Sequence, residues 1–211
     1  MISLLSVFTA TAEDGSKLWL RYQTTHTAKV TGQECKAAEI LRAHYDGAQV
    51  CLRIDDAMPQ DSYRIEGSHD DITISASTQH GLLYGAFALL RNEDGYSVPY
   101  YDLRILNHWD NLDGSIERGY AGESIFWTDR LEIDHNKIEA YAMANASIGI
   151  NGTVLNTVNA SPKMLTAVYI NKVKEIADIL RPWGIRVYIS VNFGSPKALG
   201  ELDTADPLNR Q

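Results

Sequence analysis

Hydrophobic and polar positions in the first part of the chain follow two rhythms, one typical of strands and one of helices. Apolar residues at helical spacing predict two helices, one capped by Thr31 and running to Tyr45, and a strongly apolar one over 80–90. Clusters of large or alternating apolar residues predict strands at 18–22, 49–54, 63–65 and 72–74, the last two forming a hairpin. The resulting order, βαβββα, predicts a small α+β layer.

The rhythm changes after residues 92–100, which contain a glycine and a proline and show no periodic pattern. We place a domain boundary in that stretch. Strands are then predicted at 103–109, 152–158 and 185–193, with helices at 138–148 and 161–183 between them. Strands that alternate with helices in this way predict a parallel sheet with crossover helices.

The strand predicted at 185–193 is apolar on one face and polar on the other, since Arg186, Tyr188, Ser190 and Asn192 alternate with apolar residues. An open doubly wound sheet buries both faces, whereas the mouth of a (β/α)8 barrel tolerates a polar one. We therefore predict an α/β fold. A small N-terminal α+β domain occupies 13–95, and the first three βα units of an incomplete (β/α)8 TIM barrel occupy 96–211, a truncated catalytic barrel.

The first twelve residues precede this pattern. Residues 1–12 are apolar with serines and contain Ala10-Thr11-Ala12, which has the small-x-small form of a signal cleavage site. They are either the remnant of a clipped export signal or a frayed first strand. The first alternative predicts a periplasmic or extracellular protein, and the second predicts a cytoplasmic one.

Composition narrows the function classes. The chain has 211 residues, of which 45% are hydrophobic, and its formal net charge is −8 without any cluster of lysines or arginines. Nucleic acid is therefore not an expected partner, and no apolar run is long enough for a membrane span. Cys35 and Cys51 are too few for a zinc site and favour two separate thiols over a disulfide. No nucleotide-binding, serine-elbow or zinc-protease motif is present, so we predict no metal and no cofactor site.

Polar side chains concentrate where the predicted strands end. The densest stretch, Arg104–Gly122, reads RILNHWDNLDGSIERGYAG, and Asn156 and Asn192 end the next two strands. In an α/β barrel, ligands meet the carboxyl ends of the strands. Carboxylates and amides bind hydroxyls, and an indole stacks on a pyranose ring. This convergence predicts a site for a polar, sugar-like ligand.

Several of these residues also have structural interpretations, which stay open at this point. Trp109 is either a sugar platform or a core aromatic, and His108 is either a catalyst or a buried histidine with a partner. Asp113, followed by glycine, is more typical of a turn than of a hydroxyl ligand. Glu117 and Arg118 either form a structural ion pair or anchor an acidic group.

The run at 104–122, followed by Glu123-Ser124-Ile125-Phe126, resembles the start of the barrel in the glycoside hydrolase family 67 α-glucuronidases. Other stretches agree with the same family. They are SIGING at 147–152, SVNFGSP at 190–196, TADPL at 204–208, and LWLRY and GLLYGAFALLR in the first domain. The resemblance implies an N-terminal α+β domain, a central (β/α)8 barrel and a helical C-terminal region.

The resemblance also implies an activity. Family members remove 4-O-methyl-glucuronic acid from xylooligosaccharides with inversion and without a cofactor. Their catalytic acid and base come from later strands, so we assign no catalytic residue and expect this chain alone to lack turnover. Substrate-binding residues implied by the signature or by strand position are His108, Trp109, Asp110, Asn111, Glu117, Arg118, Phe126, Asn156 and Asn192. Expected partners are glucuronic-acid-substituted xylooligosaccharides and, in the full-length enzyme, a second copy. The alternative function is a non-catalytic carbohydrate-binding or scaffold module.

Overall fold

Two β-sheets flanked by helices form a mixed α/β structure. The computed structural model describes residues 15, 17–156, 161–200, 202–204, 206 and 208. Within them, one sheet has five strands in the order β1-β2-β4-β3-β5, and the other has three in the order β6-β7-β8 and does not close into a barrel. None of the described helices is long and apolar enough to cross a membrane.

The five-stranded sheet belongs to the first part of the chain. Its strands are β1 (Lys29–Gly32), β2 (Gln49–Ile54), β3 (Tyr63–Ser68), β4 (Asp71–Ala76) and β5 (Gly95–Ser97). β1, β2 and β4 are parallel, whereas β3 is antiparallel to both β4 and β5. The helices are α1 (Lys36–His44) and α2 (Gln79–Leu90). The fully buried side chains of Leu41, Leu52, Ile74, Leu83 and Phe87 form the centre of this layer.

Helix α2 lies unusually close to the sheet. The Thr78 hydroxyl caps it by accepting a hydrogen bond from the Gly81 amide at 3.0 Å. A Cβ on Gly81 would lie 2.6 Å from the Ser62 carbonyl oxygen, and one on Gly85 would lie 2.7 Å from the Ile74 Cγ2. The two glycines therefore set the distance at which this apolar helix packs.

The predicted hairpin and both predicted helices of this layer are confirmed, but its two ends differ from the prediction. The strand predicted at 18–22 is wrong: Leu18 has a φ of 52°, and the chain turns there. Trp19 instead donates its indole N–H to the Ser147 hydroxyl at 2.7 Å, so these apolar residues dock on another element. Thr31 lies in β1 rather than capping α1, whose N-cap is Cys35.

The second sheet has the predicted parallel β-α-β-α-β order. Its strands are β6 (Ile105–Asn107), β7 (Gly152–Val154) and β8 (Arg186–Tyr188). The connecting helices are α3 (His135–Ser147) and α4 (Ala167–Leu180), with 3₁₀ turns at Pro162–Leu165 and Arg181–Trp183 and a short α5 (Ser195–Leu199). Gly184 ends the second 3₁₀ turn in the left-handed conformation.

The three strands are shorter than predicted. In the third strand, the alternation of packed and polar side chains extends only to Ile189. The strand itself, β8, ends at Tyr188, and the side chains of Val191 and Phe193 are exposed, that of Phe193 by 95%. The strand predicted at 185–193 included Val191 and Phe193 among its apolar positions, and their exposure shows that the packed apolar face does not extend that far. The last residues of the strand predicted at 152–158 lie outside the described part of the chain.

A buried polar network joins the two layers. The Arg104 guanidinium forms a 2.8 Å ion pair with Asp61 and donates to the carbonyls of Tyr101 and Gly149. The Asn151 side chain accepts from the Arg104 amide at 2.8 Å and donates to Asp61 at 3.3 Å. Because Asp61 precedes β3 and Arg104 precedes β6, this network fixes one sheet against the other.

Candidate functional site

The carboxyl ends of β6, β7 and β8 meet at one edge of the second sheet, since Asn107, Val154 and Tyr188 are paired across it. The His108 amide donates to the Val154 carbonyl at 3.2 Å, and the Leu155 amide donates to the Tyr188 carbonyl at 3.0 Å. The residues that follow the strands therefore form one rim, which we call the carboxyl rim: the loop 108–127 after β6, Asn156 after β7 and Ser190 to Asn192 after β8.

His108 is a partly buried residue of the carboxyl rim and is held by its neighbours. Its Nε2 lies 2.8 Å from the Tyr141 hydroxyl, which in turn lies 2.9 Å from the hydroxyl of fully buried Thr153. Its ring meets Phe126 edge-on, with 5.1 Å between ring centroids. Burial lowers the pKa of His108, although the nearby Asp110 carboxylate partly opposes that shift, so the imidazole is neutral at neutral pH.

Asp110 is a buried carboxylate, only 2% exposed, behind the rim. It accepts a hydrogen bond from the Ser124 hydroxyl, which itself accepts from the backbone amides of Phe126 and Trp127 at 3.0 Å each. Its other oxygen lies 3.9 Å from the His108 Nδ1, beyond direct hydrogen-bond range. The carboxylate therefore ties the two ends of the loop together and places negative charge beside the imidazole.

Trp109 and Arg118 form the outer surface of the same loop. The Trp109 side chain is 48% exposed, and Arg118 is exposed with no ion pair to any residue in the described ranges. The Glu117 amide donates to the Trp109 carbonyl at 2.9 Å, and Glu117 has a left-handed φ of 59°. This bond holds the backbone of Trp109 beside that of Glu117, the residue before Arg118.

Two asparagines of the rim, one within this loop and one after β7, form hydrogen bonds inside the protein. Asn111 donates to the Ser115 hydroxyl at 3.0 Å and to the Glu117 carbonyl at 2.9 Å. Asn156 is fully buried, with its amide nitrogen 2.9 Å from the Ser190 carbonyl oxygen and its amide oxygen 2.9 Å from the Ser190 nitrogen. Both side chains hold the rim in shape.

Three further residues pack or bond within the protein. Phe126 is 1% exposed, and its ring packs beneath His108 and Tyr141. Asn192 is exposed and accepts from the Gly194 amide at 2.7 Å in a turn before α5. Asp113 accepts from the Ser115 hydroxyl at 2.7 Å and from the Ser115 amide at 3.0 Å, which confirms the turn predicted there, and these two bonds lower the pKa of its carboxyl.

Sequence reasoning missed the residues that support the rim from other elements. Tyr141 on α3 and Ser124 at the end of the loop complete the His108 and Asp110 networks, and Trp127 donates its indole N–H to the Leu155 carbonyl at 2.8 Å. Tyr141 was visible only as a member of an apolar helical stripe. Its hydroxyl partner lies 33 residues away in sequence, so no local pattern could have identified the bond.

Four side chains of different chemistry belong to the rim. An indole and a guanidinium are exposed to solvent, and a neutral imidazole and a buried carboxylate lie within the protein. Among the described residues, no three His, Cys, Asp or Glu side chains are grouped so that they could hold a metal ion. Cys35 and Cys51 are free thiols, as predicted.

Comparison with known proteins gives a family. The family model described as glycosyl hydrolase family 67 middle domain matches residues 88–211. The chain is 40% identical over 158 residues to a protein named probable alpha-glucuronidase A from Aspergillus oryzae, across 71% of this chain and 19% of that protein. It is 38% identical over 209 residues to the protein of the same name from Aspergillus niger, across 92% of this chain and 25% of that protein. The chain thus spans 19–25% of the length of these curated relatives.

Among solved structures, the chain resembles a GH138 enzyme targeting pectin rhamnogalacturonan II. The TM-score is 0.54 at 12% identity, across 83% of this chain and 26% of that one. At this identity the likeness concerns the fold alone.

Proposed function

Because the chain belongs to glycoside hydrolase family 67, we propose that the protein acts as an α-glucuronidase. The proposed reaction releases glucuronic acid, or its 4-O-methyl ether, from xylan-derived oligosaccharides, with inversion at the anomeric carbon. Inversion requires a carboxylic acid and a carboxylate base about 6.5–9.5 Å apart with a water between them. We assign neither role to a residue of this chain. The curated relatives, which carry the name alpha-glucuronidase at 38–40% identity, support the activity.

We propose that β6, β7 and β8 with their crossover helices are the first three units of a (β/α)8 barrel. The three strands are parallel, and their order in the sheet is the same as their order in the chain. This arrangement supports the proposed architecture. Barrel enzymes place their ligands at the carboxyl ends of the strands, and here that edge is the carboxyl rim. We keep the division proposed from the sequence, with the first domain at 13–95 and the barrel units at 96–211.

One observation carries the assignment of a substrate surface: Trp109 and Arg118 are both exposed on a loop that is otherwise pinned. Asn111, Ser124 and the Glu117–Trp109 backbone bond hold that loop, so the backbone that carries the two side chains loses little conformational freedom when they bind. An indole face offers apolar area to a pyranose ring, and a guanidinium binds a carboxylate bidentately. A uronic acid presents both of these groups.

The roles of the other rim residues follow from their partners. His108 and Asp110 are already bonded within the protein, so we propose that they shape the floor beneath the sugar. Phe126, Asn111 and Asn156 support that floor in the same way. Glu117 and Asn192 complete the proposed set at the edge of the rim, where both remain accessible to solvent.

The test is calorimetric titration with an aldouronic acid, a xylooligosaccharide carrying one 4-O-methyl-glucuronic acid, together with an assay for released uronic acid. We expect Arg118→Ala and Trp109→Ala each to weaken binding by about tenfold, the loss of one charge-assisted or stacking contact. The matched control is Arg130→Ala, which removes another exposed arginine from the following loop and should leave affinity within about twofold.

Affinity that is unchanged in both rim variants would contradict this substrate surface. Because this chain alone is expected to lack turnover, binding without release by it fits both the hydrolase and the non-catalytic carbohydrate-binding function. Release of uronic acid by a protein that carries these residues together with the later barrel strands supports the hydrolase, and binding without release by that protein favours the non-catalytic function.

A further inference from the structure

A cavity lies at the edge of the second sheet that is opposite the carboxyl rim. It has a volume of about 410 Å³ and is lined by residues from both layers, among them Tyr63, Tyr84, Arg91, Arg104 and Ser147. Arg104 precedes β6 and Gly149, also in its wall, precedes β7, so the cavity is at the amino ends of these strands. The carboxyl rim is at the other end. The volume falls within the range of about 300–1,000 Å³ that is usual for small-molecule sites.

The charges in this cavity are compensated. Arg91 binds Glu93 through two nitrogens, at 2.8 and 3.0 Å, and Arg104 binds Asp61 at 2.8 Å. An anionic ligand would have to displace one of these carboxylates. Each guanidinium still has an N–H that bonds to no described residue, since an arginine carries five and these contacts use fewer. The cavity therefore suits an uncharged ligand with oxygen acceptors.

Tyr84 is a buried polar group of the cavity wall beside the Arg104 guanidinium, whose Cζ lies 5.6 Å from the centre of its ring. The residue is 6% exposed, and its hydroxyl makes no hydrogen bond of standard geometry within the described residues. Burial raises its pKa to about 12, so the hydroxyl keeps its proton and remains a donor. Buried hydroxyls are almost always paired, and an orphan beside a cavity of this size points to water or a ligand.

Tyrosine rings form part of the cavity wall. Tyr63 on β3 and Tyr84 on α2 both line it, beside the Arg91 and Arg104 side chains. The exposed Tyr96 is not part of that wall, because it is paired with Arg64 on β3 and its ring lies 5.1 Å from the Arg64 guanidinium, on the face of the sheet opposite Tyr63. Aromatic faces beside neutral hydrogen-bonding groups are the combination that binds pyranose rings.

We propose that this junction cavity is a second carbohydrate-binding site that takes an uncharged pyranose unit of an oligosaccharide. The Tyr84 hydroxyl and the remaining guanidinium N–H groups donate to sugar oxygens, and the rings of Tyr63 and Tyr84 contact the sugar. The site is separate from the proposed uronic-acid surface, so a substrate chain that reaches both would be held at two points.

The test is titration with neutral xylotriose, with cellotriose as a second probe, followed by backbone amide NMR. We expect saturable binding that shifts the amides of Ser97 and Gly149 and that Tyr84→Phe weakens by about fivefold, the loss of one neutral hydrogen bond. Tyr84→Phe removes an unpaired hydroxyl and nothing else, so it is expected to fold normally. Trp109→Ala is the matched control and should leave this binding unchanged.

Three outcomes would overturn the proposal: no saturable binding of either neutral sugar, binding that Tyr84→Phe leaves unaltered, or binding that Trp109→Ala abolishes. The last outcome would place the neutral sugar on the carboxyl rim. Because the probes carry no uronic acid and Arg118 is not involved, failure here leaves the proposed glucuronidase surface untouched.

Discussion

At the scale of single residues, His108 shows how burial fixes a charge state. Its ring packs against Phe126 and is hydrogen-bonded to Tyr141. Because this burial removes water from the imidazole, protonation of the ring is costly. A histidine whose pKa is lowered in the folded state takes up its proton first in the unfolded chain. Folding stability is therefore complete above the ordinary histidine pKa of about 6.5 and is lost as the pH falls through the lowered value.

This linkage predicts a pH dependence that can be measured. The free energy of unfolding, from urea denaturation, should fall between pH 7 and pH 5, and His108→Gln should show a smaller fall than the wild type. His135→Gln is the control, because His135 is exposed and paired with Glu175 at 2.9 Å on the surface. Equal pH slopes in the wild type and His108→Gln would be inconsistent with the buried, neutral imidazole.

The same residue marks the limit of what sequence can say about the site. That residues 104–122 form a polar loop at a strand end follows from composition and order along the chain. Which residues of this loop face solvent does not follow from its own sequence. That depends on Tyr141 and Thr153, which belong to other elements. Phe126 is the clearest example: its place in the signature suggests a ring near substrate, and only the fold shows that its faces are covered.

At the scale of elements, the contact of α2 with the first sheet depends on glycine. Gly85→Ala would raise helix propensity by up to about 1 kcal/mol, but the new methyl group would collide with Ile74. Overpacking costs about 1–3 kcal/mol, so we expect a net loss of stability in thermal or urea unfolding. Asn171→Ala, at an exposed position of α4, gains propensity without a clash and should be neutral or slightly stabilising. A Gly85→Ala variant as stable as that control would mean that α2 can move away from the sheet without cost.

Element order is the part of the fold that hydrophobic periodicity predicts best. The helices at 80–90 and 138–148 and the alternation of strands and helices after residue 100 agree with α2, α3 and the β6–β8 sheet. Strand lengths agree less well because side chains replace backbone pairing at the strand ends. β5 is missed altogether: a strand of only three residues that begins with Gly95 at a φ of 82° carries too little pattern to be recognised.

At the scale of the whole molecule, the Asp61–Arg104 pair unites two sheets that lie far apart in the sequence. Both side chains are largely removed from solvent, 8% and 17% exposed. Asp61→Ala leaves the guanidinium buried without its counterion, and we expect a loss of about 3–5 kcal/mol in unfolding free energy. Arg104→Met combined with Asp61→Ala should recover part of that loss, because the orphaned charge is then gone.

The control for this prediction is an ion pair on the surface. Asp178→Ala removes the contacts with exposed Lys174 and Arg181, at 2.5 and 2.8 Å, and should change stability by less than about 1 kcal/mol. If Asp61→Ala costs no more than Asp178→Ala, the two sheets do not depend on this network. Separate transitions for the tryptophan and far-ultraviolet signals in Asp61→Ala would show that the layers have become uncoupled.

The buried amide of Asn156 has a consequence for the edge of the second sheet. Facing Ser190 with nitrogen to oxygen and oxygen to nitrogen, it imitates one rung of a β-ladder. Because a side chain makes this rung, the hydrogen bonding between the two strands continues past the last paired residues of β7 and β8. Removing the amide would leave the Ser190 N–H and carbonyl without these partners, so the order of this sheet edge depends on one side chain.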